Sequence, residues 1–219
     1  MTAAPADLVA RARALVRPDR RAILGLAGAP GAGKSTLAAA LVAAAPGAVL
    51  VPMDGFHLPT AVLAERGWVT ERGTPRTFDR AGYAALLASL RGSAGPVWAP
   101  DFDRDREEPV PHAIEVPPGA LVVTEGNYLL LWPEVRALLD EVWFVEVPEA
   151  VRVERLVARH VAFGRAPDDA RERVTRGSDA DNARLVAGTR DRADLVVTGG
   201  GGGGGGRGVT GVAGAAQRE

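Results

Sequence analysis

Residues 28–35 read GAPGAGKS, which fits the pattern G-x-x-x-x-G-K-[ST] at every position. Glycines at that spacing let backbone N–H groups wrap around phosphate oxygens, so the chemistry implied is binding of a nucleotide polyphosphate. The nucleotide-binding set is Gly28, Ala29, Pro30, Gly31, Ala32, Gly33, Lys34, Ser35 and Thr36. Lys34 is expected to reach the β- and γ-phosphates, and the Ser35 hydroxyl to ligate Mg²⁺. Of the 26 basic residues 25 are arginine, so Lys34 is the only lysine in the chain. A compositional bias that spared one compact ammonium fits a role that arginine's planar fork does not fill. The same count argues against a regulatory GTPase, whose guanine-reading N-K-x-D segment needs a second lysine.

Two carboxylates are the other candidates for chemistry. Asp54 stands in PMDGFHL (52–58), and Glu125 follows LVVT (121–124). Taken alone, Asp54 is open to three readings: a metal ligand, a general base, or the first residue of an Asp-Gly turn. His57, three residues on, is a candidate substrate contact, and His112 receives no role.

The elements that must position these groups alternate. AILGLA (22–27) predicts a buried strand ahead of the loop, and the Ala-rich stretch 34–45 a helix stopped by Pro46-Gly47. AVLVPM (48–53) predicts a second strand that delivers Asp54 at its carboxyl end. Helices are expected over 7–16, 81–90, 149–163 and 181–192, and further strands at 121–124, 142–147 and 195–198. The Pro- and Asp-rich stretch 96–118 predicts a long irregular loop. Strands alternating with helices make the fold class α/β, a mainly parallel sheet covered on both faces. In such sheets ligands sit outside the carboxyl ends of the strands, the edge to which Asp54 and Glu125 are assigned. Residues 1–198 are expected to form one domain; 199–219, opening with eight glycines, is read as a disordered tail.

Composition narrows the classes. Zero cysteines exclude thiolate catalysis and Cys-zinc sites, and a net charge of −1 leaves no basic footprint for nucleic acid. No apolar run approaches the ~20 residues needed to cross a bilayer, and no leader is read at the N-terminus. The expectation is a cytoplasmic protein with a small-molecule partner, no nucleic acid and no membrane, with a homodimer left open.

GLAGAPGAGKST, then MDGFH, RGTPRTFD (72–79), PDFDR (100–104) and EGNYLLL (125–131) resemble, in content and order, the uridine kinase, phosphoribulokinase and pantothenate kinase group. The resemblance spans roughly residues 20–198 and implies ATP and Mg²⁺ as cofactors and a parallel five-stranded sheet in the order 2-3-1-4-5. It implies that Asp54 faces the acceptor hydroxyl and that Glu125 lies near the metal. It also implies a helical lid around 150–180, in which Arg159 and Arg165 close over the transferred phosphate. Arg152, Arg155 and Arg159 share one helix face, and Arg152 is expected to pair with Glu149 or Glu154 on a solvated surface. Arg190 is placed near the adenine, and Arg76, Asp79, Arg104 and Tyr128 join His57 in the acceptor pocket. Gly73 stands where uridine kinases carry an acid, so uridine is not implied as the acceptor.

The function expected is transfer of the γ-phosphate of ATP to a hydroxyl of a nucleoside, sugar or vitamin precursor. A non-catalytic nucleotide-binding regulator is the alternative; loss of Asp54 or Glu125 would favour it, and both are present. A mechanochemical ATPase is expected to carry a Walker B Asp–Glu pair, which EGNY does not supply.

Overall fold

The computed structural model describes residues 4–199 and 209–211. After α1 (Ala6–Ala14), β1 (Ala22–Ala27) runs fully buried into the phosphate loop and α2 (Lys34–Ala44). Next come β2 (Val49–Pro52), a 3₁₀ turn at Met53–Phe56, α3 (Thr60–Glu65) and α4 (Arg80–Gly92). The chain continues through β3 (Val97–Asp103), β4 (Glu108–Val116), β5 (Leu121–Gly126), α5 (Pro133–Arg136) and β6 (Glu141–Glu146). Three helices, α6 (Glu149–Ala162), α7 (Pro167–Thr175) and α8 (Ser178–Ala187), precede β7 (Leu195–Thr198) and β8 (Val209–Gly211).

The main sheet has the order β2-β5-β1-β6-β7-β8. Numbered among themselves, its five parallel strands read 2-3-1-4-5. Period-two alternation splits their side chains between two cores. Ile23, Val122, Val142 and Val196 face Tyr83, Leu87 and Leu90 of α4. Leu24, Leu26, Val123 and Trp143 face Leu8 and Ala12 of α1 and Ala38 and Leu41 of α2. Both faces are thus covered, and the chemistry is left to the strand ends. Among the described residues no helix is long and apolar enough to cross a membrane.

The structure departs from the expectations at two places and adds one helix within the expected lid. The stretch 96–118 is an antiparallel ribbon of β3 and β4, with a register shift between Ala99 and Asp101. A two-stranded ribbon leaves one edge of each strand unpaired, so Pro100 at the shift and Pro109 opposite Phe102 cost little there. The added helix, α7, begins at Pro167, a favoured first helical position, and buries only Ala170 and Val174. That pair, four residues apart, is too sparse a signal to stand out in a charged segment. Second, Val209–Gly211, inside the segment read as a tail, pairs antiparallel with β7; residues 200–208 and 212–219 of that segment lie outside the described residues.

Arg21, just before β1, is a structural residue with no sequence signature. It is 2% exposed, and its guanidinium donates to the carbonyls of Pro117 (2.9 Å), Ser93 (2.8 Å), Val116 (3.0 Å), Leu90 (3.2 Å) and Gly95. One side chain thereby satisfies the end of α4 and the open base of the ribbon, where β3 begins and β4 ends. Arg21→Ala is expected to cost about 3 kcal/mol of unfolding free energy, because several buried carbonyls lose a charged donor at once. Urea denaturation checks this, and a loss within about 0.5 kcal/mol, the range of ordinary surface substitutions, would remove Arg21 from that role.

Candidate active site

Parallel register sets the site. Ala27 pairs with Gly126 across β1–β5, and Pro52 with Glu125 across β2–β5. The residues that follow each strand therefore meet: the phosphate loop after β1, Asn127 after β5, Asp54 after β2. Close approach needs glycine at two points. A Cβ on Gly28, at φ +151°, would lie 2.3 Å from the Val145 carbonyl oxygen, and one on Gly126 would lie 2.6 Å from Met53 Cβ.

Lys34 is 7% exposed. Its ammonium donates to the carbonyls of Gly28 (2.9 Å) and Ala29 (3.1 Å) and to Asn127 Oδ1 (2.8 Å). Burial holds its pKa below the usual lysine range, opposed by the fields of Glu125 and Asp54. The α2 N-terminus at Gly33 has no side-chain cap and no acidic residue in its first turn, which leaves its N–H groups open to an anion. Ser35 Oγ donates to Glu125 Oε1 at 2.8 Å. Burial pushes the Glu125 carboxyl up, with Lys34 and the Ser35 hydrogen bond pulling the other way. Among the described residues no three His, Asp or Glu side chains converge on a metal. Ser35 and Glu125 instead offer two hard oxygens, a donor set that suits Mg²⁺, which keeps several waters and arrives with phosphate.

Asp54 lies in the 3₁₀ turn, and Gly55 packs so closely that a Cβ there would stand 2.6 Å from the Pro100 carbonyl oxygen of β3. That contact lays the middle of β3 over the turn, and the ribbon tip beyond it carries Arg104. Arg104 Nη2 donates to Asp54 Oδ2 at 2.8 Å, and among the described residues Oδ1 has no hydrogen bond. His57 Nδ1 bonds the Asp54 backbone carbonyl (2.8 Å), a bond in which the ring must be the donor. Its ring packs on Phe78 and Phe102, with centroids at 4.0 and 4.7 Å. Burial holds the His57 pKa below its usual value.

All of these groups line one open cleft of about 1770 Å³. Its far wall is the helical lid. Arg155, Arg159 and Arg165 line it, and among the described residues their side chains have no hydrogen bond or ion pair. Arg155 Nη1 stands 3.6 Å from the position of a Cβ on Gly33, against the loop itself. Arg152, expected on a solvated surface, is 3% exposed. It does pair with Glu149 (2.7 and 2.6 Å), and it also donates to the Pro30 carbonyl at 3.2 Å, so it braces the phosphate loop.

Pro30, Gly31, Ala32, Gly33, Lys34, Ser35, Thr36, Asp54, His57, Arg104, Glu125, Arg159 and Arg165 share that cleft. Gly28 and Ala29 hold Lys34 from behind. Four of the expected contacts stand elsewhere. Asp79 caps α4 by accepting from the Gly82 N–H at 2.9 Å, and Arg76 pairs with Glu71 over the Trp68 ring. Tyr128 is fully buried, with its hydroxyl donating to the Gly73 carbonyl at 2.5 Å. Arg190 forks onto Glu146 at 2.9 and 3.1 Å. Each of the four already has its partner. From sequence, Asn127 receives no role, and Arg155 is placed on the lid-helix face without one. Asn127 sits in the EGNY motif, and Arg155 shares a helix face with Arg159, so a signal existed for both.

This fold and this site define a phosphate-loop nucleotide-binding protein of the α/β class. No protein-family model matches the chain. YggC of Escherichia coli K12, described as an uncharacterized protein, is 34% identical over 193 residues, covering 83% of this chain and 79% of its own. "Putative uridine kinase C227.14" of Schizosaccharomyces pombe is 32% identical over 210 residues, covering 87% of this chain and 88% of its own. The crystal structure of a "putative fructose transport system kinase" from Silicibacter sp. TM1040 superposes with a TM-score of 0.78 at 38% identity, covering 90% of this chain and 98% of that one. The chain belongs to the uridine kinase, phosphoribulokinase and pantothenate kinase group of phosphate-loop kinases.

Proposed function

We propose that the chain transfers the γ-phosphate of ATP to a hydroxyl of a small polar metabolite. The observation that carries this is convergence: Lys34, the Ser35–Glu125 pair and Asp54 meet in one cleft, facing three arginines whose side chains have no hydrogen bond or ion pair among the described residues. Bound Mg²⁺–ATP would supply the electrophilic phosphorus and part of the charge neutralisation. Ser35 and Glu125 would hold the metal ion, and Lys34 would set a positive charge beside the phosphates. Asp54 Oδ1 orients the acceptor hydroxyl and takes its proton, while Arg104 fixes the other carboxylate oxygen. Arg155, Arg159 and Arg165 close on the transferred group and exclude water.

The lid arginines are expected to act on chemistry more than on ground-state binding. Arg159→Ala and Arg165→Ala should each lower kcat by about 10²-fold, with a smaller change in KM for ATP. Variants that alter only ATP affinity would move these residues out of the lid role.

The acceptor is found by measuring ADP release against uridine, cytidine, nicotinamide riboside, pantothenate and ketohexoses. The description of the Silicibacter relative as a "putative fructose transport system kinase" puts fructose first among these. Release stimulated by one acceptor supports the kinase reading. Nucleotide binding with no stimulation by any polar alcohol would favour the non-catalytic regulator.

A further inference from the structure

Lys34 has three N–H donors and no acceptor, and in this structure all three are used. Two partners are carbonyls of the phosphate loop itself. The third is Asn127 Oδ1 at 2.8 Å, and among the described residues no other side chain hydrogen-bonds the ammonium. A lysine donates only, so the amide must present its oxygen there and not its nitrogen. Lys34 therefore cannot gain a phosphate oxygen without giving up a bond. Gly28 and Ala29 are fixed by the loop, whereas a side chain can turn away.

Topology says which phosphate is concerned. The order β2-β5-β1 puts the end of β5 between the acceptor carboxylate after β2 and the loop after β1. The transferred phosphate must lie between those same two groups. Asn127, immediately after β5 and lining the cleft, stands on that path. Its neutrality matters as well. Glu125 and Asp54 already place negative charge around Lys34, and a third carboxylate would hold the ammonium and repel the phosphate.

Resting on the ATP-dependent reading above, we infer that Asn127 is a positioning residue for Lys34. Its amide oxygen stands in for a γ-phosphate oxygen when that phosphate is absent, and so it tunes discrimination between triphosphate and diphosphate. With ADP bound the amide keeps its bond to Lys34; with ATP bound the γ-phosphate takes its place.

The test is calorimetric titration of the full chain with ADP and with adenosine 5′-(β,γ-imido)triphosphate, both with Mg²⁺. Asn127→Asp strengthens the stand-in and repels the γ-phosphate, so it should lower the triphosphate-to-diphosphate affinity ratio by about tenfold or more. Asn127→Ala removes the stand-in without adding charge, and should raise that ratio by about three- to tenfold. A merely structural asparagine would move both nucleotides together in both variants. If Asn127→Asp does not fold, the alanine variant decides alone. An unchanged ratio in the folded variants overturns the inference but leaves the kinase reading standing. A wild-type chain that binds neither nucleotide overturns both.

Discussion

Replacing Asp54 by asparagine is expected to lower acceptor phosphorylation by a factor on the order of 10²–10⁴, the range for removal of a positioned base, with ATP affinity nearly unchanged. The amide keeps the size of the side chain but cannot take a proton from the acceptor hydroxyl. Arg104 holds one carboxylate oxygen at 2.8 Å, so the carboxylate is oriented before any acceptor arrives. The backbone role of Asp54 survives the substitution: its carbonyl accepts from the His57 N–H at 3.1 Å and from the ring at 2.8 Å. Turn formation and chemistry thus separate in a single variant. Single-turnover rates with the acceptor found above, beside nucleotide titrations, give the two readouts. If Asp54→Asn retains most of its activity, Asp54 does no more than begin the turn that PMDGFHL encodes.

That separation bears on what could be read without coordinates. The phosphate loop was legible because its spacing is a covalent property of the chain, and because a buried strand and an Ala-rich helix flank it in sequence. The strands at 22–27 and 195–198 appear with the bounds expected of them, since continuous apolar runs of that length have few other uses in an α/β chain. The ribbon was not legible. Its prolines and aspartates mimic a loop, and only pairing across the register shift at Pro100 shows that they lie on strands. The expected contacts that do not line the cleft share a feature. Arg76, Asp79, Tyr128 and Arg190 have chemistry suited to a ligand, yet each meets a partner within the fold. Asp79 carried a local clue, because an aspartate directly ahead of an apolar helix is a preferred cap. Asn127 was legible only as a member of the EGNY motif; its meeting with Lys34, 93 positions earlier, follows from strand register.

Lys34→Ala is the second large effect expected. Turnover should fall by a factor on the order of 10²–10³, the usual loss when one preorganised donor to a developing negative charge is removed. The fold should survive. The loop is braced independently by Arg152 on the Pro30 carbonyl and by backbone packing of Gly28 against Val145. The buried ammonium also contributes nothing apolar to either core. Lys34→Arg should fail nearly as badly, although it keeps the charge. The three acceptors surround a single nitrogen at 2.8–3.1 Å, whereas a guanidinium spreads its donors across a plane that this pocket was not built to hold. In a chain that uses arginine at all 25 of its other basic positions, that geometric misfit is the physical reason for one lysine. Thermal melts of both variants establish folding, and ADP release measures turnover. Wild-type turnover in a folded Lys34→Ala variant would remove the phosphate loop from the reaction, and with it the anchor for every other residue placed in this cleft.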